Sequence, residues 1–275
     1  MSLLPGLTTG LLDDAGPVVA GAGGLAPSVD GYRRLRGTPA EDLVGPLLVP
    51  ASGVPELRRL LLPEDDLAVA LVGDTGSAGL REARDSLQDD AWVRVVRMQL
   101  PIPHSGDPAP AARSLLDELA FTVPTSLVVT PDPQLGDVLD VVAADGAERV
   151  ALRYGGGAGP TADQVADFLL GCSSRALSFT LTGDQRRAVR SVDPATGGPL
   201  PGHLNALAAT WAAVDGADHQ AVAALLETQD PDILVSVLTA AHVPRLRALL
   251  FAATSSDVSA SAHELRRLGL LDEAI

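Results

Sequence analysis

The strongest constraint on the fold of this chain is a repeated order of one apolar strand followed by one helix. The order begins at residue 44, where VGPLLVPA has the length of a strand and GVPELRRLLL places Leu57, Leu60 and Leu61 at helical spacing. Further strands are expected in LAVALVGD, WVRVVRMQL, TSLVVTPD, RVALRYGG and LSFTLTGD, each but the last followed directly by a helical pattern. These runs are apolar nearly from end to end, which is typical of parallel strands covered by helices on both faces.

Six such units predict either a (β/α) barrel or an open doubly wound sheet, because each parallel crossover needs about a dozen residues or more. A length of 275 residues favours an α/β fold of the TIM-like (β/α) barrel type, whether complete, incomplete or atypical. After residue 200 the pattern becomes helical, so we expect an all-helical C-terminal region. A seventh strand in residues 248–255, ALLFAATS, is the alternative there.

The chain divides into a short N-terminal segment and one domain. Residues 1–40 are rich in Gly and Pro and contain one apolar stretch, GPVVAGAGG, which fits an edge strand or an arm. We therefore expect residues 1–40 to be an N-terminal arm or edge segment and residues 41–275 to be a single barrel-like domain. Such an arm would also suit docking in a homo- or hetero-oligomer.

Composition excludes several classes of partner and site. The chain has 20 Lys plus Arg against 35 Asp plus Glu, a formal net charge of −15, and a field of that sign repels nucleic acid phosphates and anionic membranes. Cys172 is the single cysteine, which rules out an internal disulfide and fits a reducing cytoplasm. No paired histidines have metal-ligand spacing. We expect a cytoplasmic protein with no cofactor, no metal, no nucleic acid partner and no membrane partner.

The stretch RYGGGAGPT, residues 153–161, is the first candidate site. Thr161 and Gln164 match a capping box, which predicts a helix start after a strand. Glycines before a helix let the main chain approach an anion, and an arginine adds charge. The candidate ligand-binding residues here are Arg153, Gly155, Gly156 and Gly157. The alternative is a simple turn, because a glycine-rich loop without a fuller fingerprint is a weak motif.

The ends of the other expected strands supply the second group of candidates, because ligands of parallel α/β folds meet the carboxyl ends of the strands. Thr182, Arg186 and Asn205 are candidates for binding an anionic ligand, with a solvated surface role as the alternative for Arg186. Three carboxylates are candidate catalytic or magnesium-binding groups, namely Asp74, Asp132 and Asp184. All twenty basic residues are arginine, so no side-chain amine is present for Schiff-base chemistry.

Four stretches together resemble a group of uncharacterised bacterial proteins predicted to be (β/α) barrels: VALRYGG, SFTLTGDQRRAVR, PGHLNAL and ELRRLGLL. The resemblance covers roughly residues 44–272. The strand-end motifs of that group read Lys-Leu-Arg-Thr-Gly-Gly and Thr-Ala-Gly-Leu-His-His. Of the group's motif residues, the chain keeps Arg153, Gly155, Gly156, Thr182, Gly202, Leu204 and Asn205.

The chain departs from the group at the ionisable positions. Where the group has two lysines, this sequence has Ala151 and Thr180. Its histidines and glutamates are replaced as well, at Arg186, Arg187, Pro201, Gln99 and Val129. Glu, Lys and His are the side chains that move protons or attack carbonyls near neutral pH, so the resemblance implies a degenerate copy of the frame.

Three functions remain open from the sequence. The first is a degenerate barrel, catalytically lost or altered, that binds a small anionic ligand or acts as an accessory protein. The second is an active enzyme on a small phosphorylated or carboxylated metabolite, with Asp residues and a divalent metal. The third is a structural partner in a hetero-oligomer. A fold alone does not separate them.

Overall fold

A computed structural model describes residues 6–19, 22–38, 40–103, 106–118, 123–146, 149–154, 159–193 and 197–271. In these ranges ten strands are present: β1 (Leu12–Asp14), β2 (Val44–Pro50), β3 (Leu67–Val72), β4 (Val93–Pro101), β5 (Thr125–Val129), β6 (Arg149–Arg153), β7 (Ser178–Thr182), β8 (Ser191–Val192), β9 (Pro199–Leu200) and β10 (Leu250–Ser255). The same ranges hold eleven α-helices: α1 (Leu25–Leu35), α2 (Val54–Leu60), α3 (Gly76–Leu87), α4 (Pro108–Glu118), α5 (Leu135–Asp145), α6 (Ala162–Ser174), α7 (His203–Val214), α8 (His219–Glu227), α9 (Pro231–Thr239), α10 (Val243–Leu249) and α11 (Val258–Arg267). None of these helices has both the length and the apolar character that crossing a bilayer requires.

Eight of the strands close into a parallel barrel in the order β1-β10-β7-β6-β5-β4-β3-β2. The remaining two, β8 and β9, pair antiparallel in a small separate sheet. The expected TIM-like (β/α) barrel is therefore confirmed, and in the described residues its ring of strands is complete. All carboxyl ends of the barrel strands lie at one rim, which we call the mouth.

The N-terminal segment corrects the expectation of an arm or edge segment. β1 lies inside the ring, where it pairs in parallel with β10 on one side and β2 on the other. The apolar residues Val18 and Val19 of the stretch GPVVAGAGG lie in the turn that follows β1. The sequence of β1, Leu-Asp-Asp, does not predict a buried strand, because two of its three residues carry carboxyl groups.

The C-terminal region is helical apart from one strand. β10 occupies residues 250–255, so the alternative of a strand within 248–255 is confirmed and the all-helical expectation is corrected. Four helices, α7 to α10, separate β7 from β10. α7 is buried from His203 to Ala213, which explains why its sequence is apolar on all sides.

The helices cover the outside of the barrel as the apolar strands predict. On α6 the capping box is formed, because the Gln164 amide N–H donates to Thr161 Oγ1 at 3.2 Å and the Thr161 amide donates to Gln164 Oε1 at 2.9 Å. The Phe168 ring of this helix meets the Phe179 ring of β7 edge to face, with 5.2 Å between centroids. Phe179 therefore points outward, and its neighbours Thr180 and Thr182 point into the barrel.

Candidate functional site

Arg153 and Thr182 lie side by side at the mouth. They are direct register partners at the carboxyl ends of β6 and β7. On β6, the Arg149 guanidinium reaches the ring of Phe251 on β10, a strand that is not its neighbour, so Arg149 crosses the barrel interior. Side chains two residues apart on a strand share a face, and Arg153 therefore also faces inward at the mouth.

Arg153 is an exposed cation at the mouth. Within the described ranges the structure shows no ion pair for it. The Thr182 hydroxyl beside it donates to the carbonyl oxygen of Leu152 at 3.4 Å. The three glycines predicted to approach an anion, Gly155 to Gly157, lie outside the described residues.

The candidates Asp184 and Arg186 are paired with each other. Arg186 Nε lies 2.9 Å from Asp184 Oδ2. The buried Asp184 also accepts a hydrogen bond from the Ser256 amide at 2.9 Å, which ties the end of β7 to the loop after β10. The charge of Arg186 is thus balanced within the protein.

Asn205 does not fit the ligand-binding role expected for it. It is fully buried in the first turn of α7, where Oδ1 accepts from the Arg190 amide at 2.7 Å. Its Nδ2 donates to the carbonyl oxygens of Leu225 and Thr228, both at 2.8 Å. All of these partners are main-chain groups. Asn205 therefore connects the loop that precedes α7 with the C-terminal end of α8.

The other two carboxylates hold strand-end loops in place: Asp74 links its loop to the loop after β2, and Asp132 caps a local turn. Asp74 accepts from the Ser52 amide at 3.0 Å and from the Ser52 hydroxyl. Asp132 accepts from the Gln134 amide at 2.8 Å. With Asp184 they follow three different strands, and the described residues contain no group of three His, Cys, Asp or Glu side chains able to hold a metal ion. The geometry therefore gives no support to the metal-dependent alternative.

The lower half of the barrel interior is filled by charged side chains that the sequence did not single out. Arg97 of β4 donates from Nη2 to Asp13 Oδ1 of β1 at 2.5 Å. Arg97 and Arg149 also flank the Phe251 ring, with guanidinium carbons 4.7 and 3.9 Å from its centroid. Because β4 and β1 are not adjacent, the Asp13–Arg97 pair spans the interior. We call the side chains of Asp13, Arg97, Arg149 and Phe251 the charged plug.

Burial controls the electrostatics of the plug. It raises the pKa of Asp13, while the guanidiniums of Arg97 and Arg247 oppose that shift. Burial also lowers the pKa of Arg247, a residue of α10 outside the plug, to about 10. Gly45 of β2 makes room for the pair, since a Cβ at that position would collide with Asp13 Oδ1. The plug occupies the end of the barrel opposite the mouth.

Asp14, the next residue of β1, is a second buried carboxyl group that the sequence did not single out. Its Oδ1 accepts from the Gly16 amide at 2.9 Å. Burial raises the pKa of Asp14 to about 6; the hydrogen bond from Gly16 opposes the shift, and the charges of Asp257 and Asp13 add to it. The only available signal was the pair of carboxylates in an apolar context.

Between plug and mouth the interior lacks ionisable groups on β6 and β7. Ala151 and Thr180 are direct register partners, are fully buried and face inward. At this level the barrel interior therefore presents a methyl group and a hydroxyl group.

Comparison with known proteins bears on the fold. No protein-family model matches the chain, and no curated protein matches it. A solved structure of an aldolase, QR15, is similar, with a TM-score of 0.50 and 10% sequence identity. The similarity covers 89% of this chain and 90% of the aldolase chain. At this identity the likeness concerns the fold alone, and it agrees with the closed parallel barrel.

Proposed function

We propose that this chain is a (β/α) barrel that binds a small anionic ligand at its mouth and has lost Schiff-base chemistry. The observation that carries the proposal is Arg153, an exposed, inward-facing guanidinium without an ion pair in the described part of the chain. In a protein of net charge −15, such a cation is a local exception to a negative field.

The chemistry of the mouth suits a phosphate or carboxylate group. A guanidinium pairs in a fork with two oxygens of either group. Thr182 is in register with Arg153, and its hydroxyl has a single proton, so it donates to a ligand oxygen only by giving up its 3.4 Å hydrogen bond to the Leu152 carbonyl oxygen. Gly155, Gly156 and Gly157 remain part of the proposal, since they join the end of β6 to the N-terminus of α6. Arg186 is not, because Asp184 already neutralises it.

We further propose that the chain is a degenerate relative of the barrel group it resembles. A Schiff-base aldolase needs a nucleophilic amine, and this chain contains no lysine. We therefore do not assign Schiff-base aldolase activity to this chain on the basis of the similar aldolase structure. A binding protein or accessory protein remains, and a chain with one buried cysteine fits the reducing cytoplasm as its compartment.

The proposal is tested by thermal unfolding with inorganic phosphate and small carboxylates. Phosphate is expected to raise the Tm, because a ligand that binds only the native state stabilises it. Arg153→Gln is expected to weaken binding about 10- to 100-fold, since a hydrogen-bonded charge contributes roughly 1.5–3 kcal/mol.

The matched control is Arg94→Gln. Arg94 is an exposed arginine near the amino end of β4, at the opposite rim, and it pairs with Asp66 at 2.9 Å. This variant is expected to keep the affinity for phosphate. If neither phosphate nor any carboxylate shifts the Tm of the unaltered protein, the binding function is rejected.

A further inference from the structure

Gln99 is a buried side chain that faces the barrel interior. It lies on β4, two residues beyond Arg97, and Arg97 crosses the interior to reach Asp13. Residues two apart share a face, so Gln99 faces inward and lies one step closer to the carboxyl end of the strand. Only 4% of Gln99 is exposed.

The carboxamide of Gln99 has no hydrogen-bond partner among the described residues. Its main chain is paired, since the Gln99 carbonyl oxygen accepts from the Gly73 amide at 2.8 Å. The Gln99 amide atoms are not among the enclosed side-chain atoms that lack a partner, so the carboxamide is open to a partner from outside the described residues. Asn205 shows the usual outcome in this same molecule, because its buried amide bonds to three main-chain groups.

Thr180 is a second uncharged polar residue that faces the interior. The Thr180 hydroxyl is fully buried, faces inward from β7 and has no hydrogen-bond partner in the described ranges. Thr180 is one inward step below Thr182, the register partner of Arg153. Two uncharged polar groups, an amide and a hydroxyl, thus lie beneath the cation at the mouth.

The spacing limits what could use these groups together. β4 and β6 are separated by β5, so Gln99 and Arg153 start from strands roughly 10 Å apart. A ligand that uses both side chains therefore needs an anionic group for Arg153 and a neutral polar atom for Gln99. A short carbon chain with an anionic group at one end and polar oxygens along it matches the arrangement.

We infer that Gln99 recognises a hydroxyl or carbonyl oxygen of the anionic ligand held by Arg153. This inference rests on the proposed function and names the class of ligand, a short hydroxylated or oxo-substituted phosphate or carboxylate. A carboxamide both donates and accepts, so it pairs with a hydroxyl oxygen without adding charge. Thr180 is placed to assist from β7.

The test compares two probes of equal charge and similar length by isothermal titration calorimetry. Glycerol 3-phosphate carries two hydroxyls, and propyl phosphate carries none. The unaltered protein is expected to bind glycerol 3-phosphate about 3- to 10-fold more tightly, which is the effect of one neutral hydrogen bond. Gln99→Met keeps the shape of the side chain and is expected to abolish this preference while leaving the affinity for propyl phosphate unchanged.

The outcomes separate this inference from the function it rests on. Equal affinity for the two probes in the unaltered protein, or a preference that persists in Gln99→Met, overturns the role of Gln99 and leaves anion binding in place. Binding of neither probe overturns anion binding itself. Arg153→Gln is expected to weaken both probes equally, and the comparison on the unaltered protein needs no variant to fold.

Discussion

Asp13→Leu is expected to destabilise the protein by about 3–5 kcal/mol, the usual cost of removing one partner of a buried ion pair. The variant leaves the Arg97 guanidinium inside the barrel without its acceptor. Arg149 and Arg247 are nearby and add like charge. Urea unfolding followed by circular dichroism at neutral pH measures the change in the free energy of unfolding.

Two further variants test whether the loss of stability in Asp13→Leu comes from the unpaired Arg97 charge. Asp13→Leu combined with Arg97→Met is expected to recover most of the loss, because both charges are then replaced by apolar groups of similar volume. Asp66→Asn breaks the exposed pair with Arg94 and is expected to have a much smaller effect. A double variant no more stable than Asp13→Leu alone would show that the plug is not held by this pair.

Asp14→Asn is expected to stabilise the protein above pH 6 by up to about 3 kcal/mol. The folded-state pKa of Asp14 is about 6, against an ordinary value of 3.8. The folded protein therefore holds this proton more tightly than the unfolded chain, and stability falls as the pH rises from about 4 to about 6. Each pKa unit corresponds to about 1.36 kcal/mol.

Asparagine keeps an oxygen for the Gly16 amide and removes the buried charge. Urea unfolding between pH 4 and 8 is expected to show the variant gaining on the unaltered protein as the pH rises, with the difference constant above about pH 7. A constant difference across the whole range would contradict the raised pKa.

The sequence predicts those parts of the fold whose signals are local. The strands β2 to β7 follow from apolar runs before helical patterns, and the start of α6 follows from Thr161 and Gln164 three residues apart. β10 is visible as LLFAATS. β1 is invisible because Asp13 is compensated by Arg97, 84 positions along the chain, and no local pattern reports that pairing.

The candidate site is predictable only in part for the same reason. The rule that ligands meet strand ends selects Arg153 and Thr182, which the structure brings together as neighbours. It also selects Asp184 and Arg186, whose charges cancel each other, and the sequence cannot show that cancellation. The sequence cannot show where Ala151 and Thr180 lie, whereas the structure shows that both side chains face the barrel interior. Gln99 stands out only when its missing partner is visible.

The position of β1 has a consequence for how the ring is completed. Leu12 pairs with Ala253, so the earliest strand of the chain has no neighbour on one side until the latest strand has been made. The Asp13 carboxyl group of β1 pairs across the interior with Arg97 of β4, a strand that precedes β10 in the chain. Closure of the ring should therefore be a late, cooperative step, and a cut in the chain between β1 and β10 should weaken the pairing of these two strands.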